Sequence, residues 1–221
     1  MYKKLTMGLF FFFVILLAGC QSGNSFGAPL FDESESLLES ELEVRESKQD
    51  IIDQLHTEGD ADIAALISNN FPFVDTVTGE EAVANVYGTL QFEVEELAAL
   101  LDEVKPATEV SDFKDGQQIL IYQDQFVILK ESEELPEAIL IEVASEQFVK
   151  NNYSPNFLTT YFTIRMLDSL FGYNWVNNRQ NYCRNNDCYG GYSTTNSYQN
   201  DNSSKKRGIN SFRGGGPGTG K

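Results

Sequence analysis

A chain of 221 residues with 33 Asp and Glu against 16 Lys and Arg carries a net charge of −17, which argues against nucleic acid as a partner of its acidic body. One histidine and three cysteines supply few of the nitrogen and sulfur ligands of a four-donor zinc site, so neither a metal nor a cofactor is expected. The length suits one domain of ordinary size with extended ends.

The chain opens with Lys3-Lys4, runs through an apolar stretch from Met7 to Gly19 and closes it with Leu17-Ala18-Gly19-Cys20. A cationic start, a short apolar stretch and small residues before a cut make a secretory signal. Cysteine directly after the small residues predicts a lipoprotein, with residues 1–19 removed and Cys20 acylated. The stretch is shorter than the roughly 20 apolar residues a membrane-spanning helix needs. Two acyl chains anchor stably where one does not, so the expected location is the outer face of the plasma membrane, with the membrane itself a partner through lipid on Cys20.

Residues 20–31, with Gly23, Gly27 and Pro29, predict a flexible spacer. Residues 32–58 predict a charged amphipathic helix, either a stalk or a helix packed on the domain, that begins at Asp32 and carries Leu37, Leu38, Leu42, Val44, Ile51, Ile52 and Leu55. Asp60 is the expected cap of a second helix reaching Asn70 and burying Ile63, Leu66 and Ile67. Val74 to Val77 and Ala82 to Leu90 read as strands, and Phe92 to Val104 has helical spacing. Asp115-Gly116 is an expected turn, Gln117 to Tyr122 and Gln125 to Lys130 a hairpin, and Ala138 to Ala144 a buried strand. The fold class that follows is α+β, a small mostly antiparallel sheet with packed helices over residues 60–173. Ile119, Ile121, Phe126, Ile128, Ile139, Ile141 and Val143 are its candidate core.

Phe157 to Phe171 has a wide apolar face opposite Thr159, Thr160, Thr163, Arg165 and Asp168. It docks either on the domain or on the membrane that holds the lipid, with Tyr161, Tyr173 and Trp175 at headgroup depth. From residue 174 to 221 Asn, Tyr, Ser, Gly and Arg dominate, which predicts a disordered low-complexity basic tail. Gln21 to Asn178 holds 7 Lys or Arg against 31 Asp or Glu, and Arg179 to Lys221 holds 7 against 2. Those counts give −24 and +5, and a basic tail can reach an anionic wall polymer, a partner protein or the acidic body. Cys183 and Cys188 lie in an extracytoplasmic context that permits a disulfide, with free thiols as the alternative.

The ending Gly215-Gly216-Pro217-Gly218-Thr219-Gly220-Lys221 has the spacing of a phosphate-binding loop. It lacks the following helix and hydroxyl that such a loop needs, so no nucleotide is expected. A nucleophile-His-Asp arrangement would have to use His56, and no Gly-x-Ser-x-Gly elbow accompanies it. Glu131, Glu133, Glu134 and Glu137 offer carboxylates for acid–base work, but their clustering around Pro136 predicts a solvated connection. The chain reads as a non-enzyme.

At Phe71 to Gly79, at Phe148 to Pro155 and at the terminal Arg213-Gly214-Gly215-Gly216-Pro217-Gly218-Thr219-Gly220-Lys221, the sequence resembles a domain-of-unknown-function family of Gram-positive membrane-anchored proteins. The resemblance implies membrane attachment and an extracytoplasmic location, and it carries no activity and no catalytic residue. The expected function is a lipid-anchored binding or interaction module of the cell envelope, with Arg213, Gly214, Gly215, Gly216, Pro217 and Gly218 as contact residues for an envelope protein. A solute- or cation-binding lipoprotein is the alternative, and an envelope enzyme follows it.

Overall fold

The computed structural model describes residues 47–193 together with Leu42. Cys20, the spacer and residues 194–221 lie outside the described residues, as does most of the sequence between Asp32 and Glu46. In chain order the elements are α1 (Lys48–Thr57), α2 (Ile63–Asn70), β1 (Phe73–Thr78), β2 (Val83–Thr89), α3 (Val94–Val104), β3 (Glu109–Val110), β4 (Gln117–Ile121), β5 (Gln125–Glu131), β6 (Ile139–Ser145), α4 (Glu146–Asn152), α5 (Pro155–Tyr161), α6 (Ile164–Phe171) and α7 (Trp175–Cys183). The fold is α+β: one antiparallel sheet ordered β1-β2-β6-β5-β4-β3, with helices on both faces.

The helix starts follow local chemistry. Ser47 and Asp50 close a reciprocal capping box on α1, which satisfies amides that the first turn cannot. The cap of α2 is Asp62, whose carboxylate accepts from the Ala65 N–H at 2.9 Å; Asp60, the residue expected there, stands two positions upstream. Helix α1 buries Ile51 and Leu55 among residues of α2 and α3, so this part of the charged segment packs on the domain. Leu42 is buried too, on the opposite face of the sheet.

Strand β6 sits at the centre, and its apolar run is covered on both sides. Leu140 and Ala144 join Ile119, Ile121, Phe126 and Ile128 beneath α4 to α7. Ile139, Ile141 and Val143 join Leu120, Val127 and Leu129 beneath α1 to α3. This alternation is the two-residue pleat of a strand, and it buries all seven of the expected core residues. Before β4, Asp115 and Gly116 have φ of 52° and 71°, the double left-handed geometry that two-residue antiparallel turns favour. The Lys114 N–H and C=O both pair with Gln117 across it.

The apolar stretch from Phe157 to Phe171 is divided rather than continuous. Phe162 is extended and closes α5, and the Thr163 hydroxyl accepts from the Met166 N–H to begin α6. Leu158, Phe162, Leu167 and Phe171 are buried on the α4–α7 face of the sheet, so this segment docks on the domain. The composition boundary expected at residue 174 falls inside the fold. Trp175 and Val176 are buried in α7, and Tyr189 is buried beyond it.

Gly79 shows how tightly these pieces meet. A Cβ added there would stand 2.6 Å from Asn152 Oδ1, while Asn152 is fully buried, accepts from the Glu80 N–H and donates to the Phe148 carbonyl. Gly79→Ala is therefore expected to lower stability by about 1–3 kcal/mol through overpacking, read as a lower urea midpoint; an unchanged midpoint would contradict this packing.

Candidate functional site

Glu142 is the one carboxylate in the run Ile139-Leu140-Ile141-Glu142-Val143-Ala144. The antiparallel register sets it between Val86 of β2 and Ile128 of β5, and it is 2% exposed. A carboxylate taken out of water must be hydrogen-bonded or neutralised. Three donors reach it from segments distant in sequence: the Tyr153 hydroxyl to Oε1 at 2.9 Å, the Tyr189 hydroxyl to Oε2 at 3.0 Å and the Tyr192 N–H to Oε2 at 3.1 Å.

Each donor is placed by its own local structure. Tyr153 follows α4, with its N–H on the Val149 carbonyl, and is fully buried. Its ring meets Phe148, Phe157 and Tyr189 edge-on or tilted, with centroids at 6.1, 5.4 and 4.8 Å. Tyr189 returns from α7 just past the Cys183–Cys188 disulfide, whose Cα atoms are 5.5 Å apart. There it forms a parallel bridge: the Tyr189 N–H donates to the Asn152 carbonyl at 2.8 Å, and the Ser154 N–H donates to the Tyr189 carbonyl at 2.7 Å. Gly191 has φ of 94°, a conformation L side chains rarely adopt, and it brings the Tyr192 amide over the carboxylate.

Residues 188–193 thus cross the sheet as a strap. The Tyr192 hydroxyl donates to Asp75 of β1 at 3.2 Å, Lys130 of β5 donates to the Tyr192 carbonyl at 3.4 Å, and Ser193 donates to Glu133 at 3.4 Å. Lys130 also pairs with Glu133 at 2.8 Å. The Arg179 guanidinium donates to the Tyr153 carbonyl at 3.1 Å, tying α7 to the same point.

Burial pushes the Glu142 carboxyl up to about 7, against the opposing pull of its hydrogen bonds from Tyr153, Tyr189 and Tyr192 and of the Lys130 charge. Burial and the adjacent Glu142 carboxylate hold Tyr153 and Tyr189 well above the usual phenol range. The two phenols remain donors across the physiological range, and Glu142 is the group whose protonation can change. Every contact described here comes from the chain itself, so the arrangement ties β6, α4 and the C-terminal segment together.

The remaining expected residues are scattered. His56 is exposed in the last turn of α1. Glu131 and Glu137 line an open cleft of about 640 Å³ with Glu93, Glu95, Glu96 and Lys48, while Glu133 turns to Lys130 and Ser193. Within that cleft Lys48 pairs with Glu96 and lies over the Phe92 ring, 5.0 Å from its centroid. Among the described residues, no three His, Cys, Asp or Glu side chains gather where a metal ion could be held, and no helix is long and apolar enough to cross a membrane. Cys20 and the segment Arg213 to Gly218 lie outside the described residues. Glu142 carried a signal in the sequence, a lone acid within a doubly apolar strand, but its tyrosine partners stand 11 and 47 residues away.

No family model, no curated protein and no solved structure matches the chain.

Proposed function

We propose that the protein is a lipid-tethered binding module of the cell envelope, held on the outer face of the plasma membrane through Cys20, as the resemblance to the Gram-positive membrane-anchored family implies. The observation that supports this reading is the strap. It fixes the chain to the sheet as far as Ser193, so residues 194–221 are delivered from a defined point on the domain. The domain as a whole is acidic: residues 47–193 carry 8 Lys or Arg against 25 Asp or Glu, whereas residues 194–221 carry 5 against 1. Charge of one sign on the domain and the other on the segment favours a partner that meets both, such as an envelope protein with an acidic face for Arg213 and its glycine-rich neighbours. An anionic wall polymer would meet the segment alone. Ordering such a segment on a partner costs conformational entropy, so its affinity in isolation is modest.

A photoreactive phenylalanine analogue at position 212 tests this in intact cells. A discrete envelope-protein adduct is expected from that position, and a pattern indistinguishable from an analogue at the exposed Tyr173 would count against it. The solute-binding alternative draws on the open cleft beside Lys48, whose glutamates suit an organic cation better than a metal ion.

A further inference from the structure

We propose that the basic stretch Lys205-Lys206-Arg207, together with Ile209, docks on its own domain in the open cleft beside Lys48. The contact lies within one chain and is independent of the lipid tether. It sets the domain in competition with an envelope partner for the same cations.

The cleft, of about 640 Å³, combines an apolar lining with carboxylates. Phe92, Val94 and Ile139 are its buried apolar part, while Phe113 is 39% exposed. A ring left that open beside a recess offers apolar area to an occupant. Glu93, Glu95, Glu131 and Glu137 line the same cleft and are exposed. The ion pairs among the described residues are Lys48 with Glu96 and Lys130 with Glu133, so these four carboxylates have no cation of the described domain against them. Among the described residues no three such groups gather closely enough for a metal ion. Separated carboxylates beside apolar area instead complement several cations and an apolar side chain carried on one extended peptide.

Two observations name the occupant. The first is where the chain leaves the described domain: the Ser193 hydroxyl donates to Glu133 at 3.4 Å, and Glu133 stands two residues from Glu131 of the cleft. Two residues cover at most about 7 Å, whereas the twelve steps from Ser193 to Lys205 can span about 40 Å. The basic stretch is therefore within reach of the cleft. Covalent attachment makes the encounter intramolecular, so a contact too weak to hold two separate molecules suffices. The second is the order of residues. Lys205, Lys206 and Arg207 are consecutive, and Ile209 follows after a single glycine. That order sets three cations beside one apolar side chain, as the cleft sets its glutamates beside Phe92 and Phe113. Exposed ion pairs are individually weak and screened by salt, so docking covers the cleft while leaving the stretch open to displacement by a more acidic partner.

The purified full chain with a photoreactive phenylalanine analogue in place of Ile209 tests this, its adducts mapped by mass spectrometry. The expected product is an adduct within one molecule, to peptides containing Phe92 to Glu96, Phe113 or Glu131 to Ile139, at a yield that does not change on dilution. Combining Glu93→Gln, Glu95→Gln, Glu131→Gln and Glu137→Gln should lower that yield about fivefold, the effect of losing several exposed ion pairs. Adducts spread evenly over the domain would overturn the proposal, as would adducts formed only between molecules or a yield that the four substitutions leave unchanged. Should that variant not fold, Lys205→Gln with Lys206→Gln and Arg207→Gln serves, since it alters no residue of the described domain. The same loss is expected from it, and an undiminished yield would overturn the proposal equally.

Discussion

Replacing Tyr153 by Ala is expected to lower stability by about 3–5 kcal/mol, the range for deleting a large buried ring. Three losses coincide at this residue. The ring vacates the centre of a cluster formed with Phe148, Phe157 and Tyr189, the hydroxyl leaves Glu142 Oε1 without its 2.9 Å donor, and the space left is too deep in the core for α4 to close. A domain of this size has a total of roughly 5–15 kcal/mol to lose, so the variant should be marginally folded. Tyr153→Phe separates the contributions: it keeps the ring and removes one donor to a buried acid, which costs about 1–3 kcal/mol. Urea unfolding of both variants beside the parent is the measurement. Equal midpoints for parent and Tyr153→Ala would mean that this cluster does not hold the sheet to its covering helices.

The second large effect is a dependence of global stability on pH with an unusual sign. Glu142 has a carboxyl raised in the folded protein to about 7, from an ordinary value of 4.5. Between those values the folded state binds more protons than the unfolded chain, so the free energy of unfolding falls as pH rises. The contribution is fully present below pH 4.5, is lost as pH rises through the window, and levels off above about 7. Its full extent is about 3 kcal/mol. Asp50 is lowered by its hydrogen bonds from Ser47, and Glu133 by Lys130, so both contribute in the opposite sense. Their contributions are lost as pH falls below the ordinary carboxylate range, outside most of the Glu142 window. Urea unfolding at pH 5.0 and 7.5 should therefore show the parent more stable at the lower pH, and Glu142→Gln should show little difference. A parent more stable at pH 7.5 would reverse the sign and refute the assignment.

Much of the sheet is legible in the sequence because its signals are local. The β-branched run at Ala138 to Ala144, the Asp115-Gly116 turn and the hairpin strands beside it each need only neighbouring residues for their interpretation, and the buried set Ile119, Ile121, Phe126 and Ile128 follows from the pleat. Misreadings arise where a local signal has two solutions. Asp60 and Asp62 both precede the helical run, and the one with its carboxylate at the Ala65 N–H wins. In the stretch from Phe157 to Phe171 the apolar face continues through a break, and Thr163 is the only local sign of a new start.

The candidate site is hidden for a different reason. Asn174 to Ser193 is polar in composition, so reading it as tail is reasonable from hydropathy alone. Its burial depends on Trp175, Val176 and Tyr189, three positions in a polar background, and on hydrogen bonds to Glu142 made across 47 and 50 residues. Neither periodicity nor composition records such a pairing. A buried acid in a covered strand does announce that donors must exist somewhere, and tyrosines downstream are chemically suited to the task. The stretch from Asn174 to Ser193 therefore belongs to the folded domain.

The most direct test compares the full chain with a chain ending at Ser193 by proximity crosslinking in intact cells. Loss of the envelope-protein adducts from the shortened chain is the expected result, and full retention of those adducts would contradict the proposed role of residues 194–221.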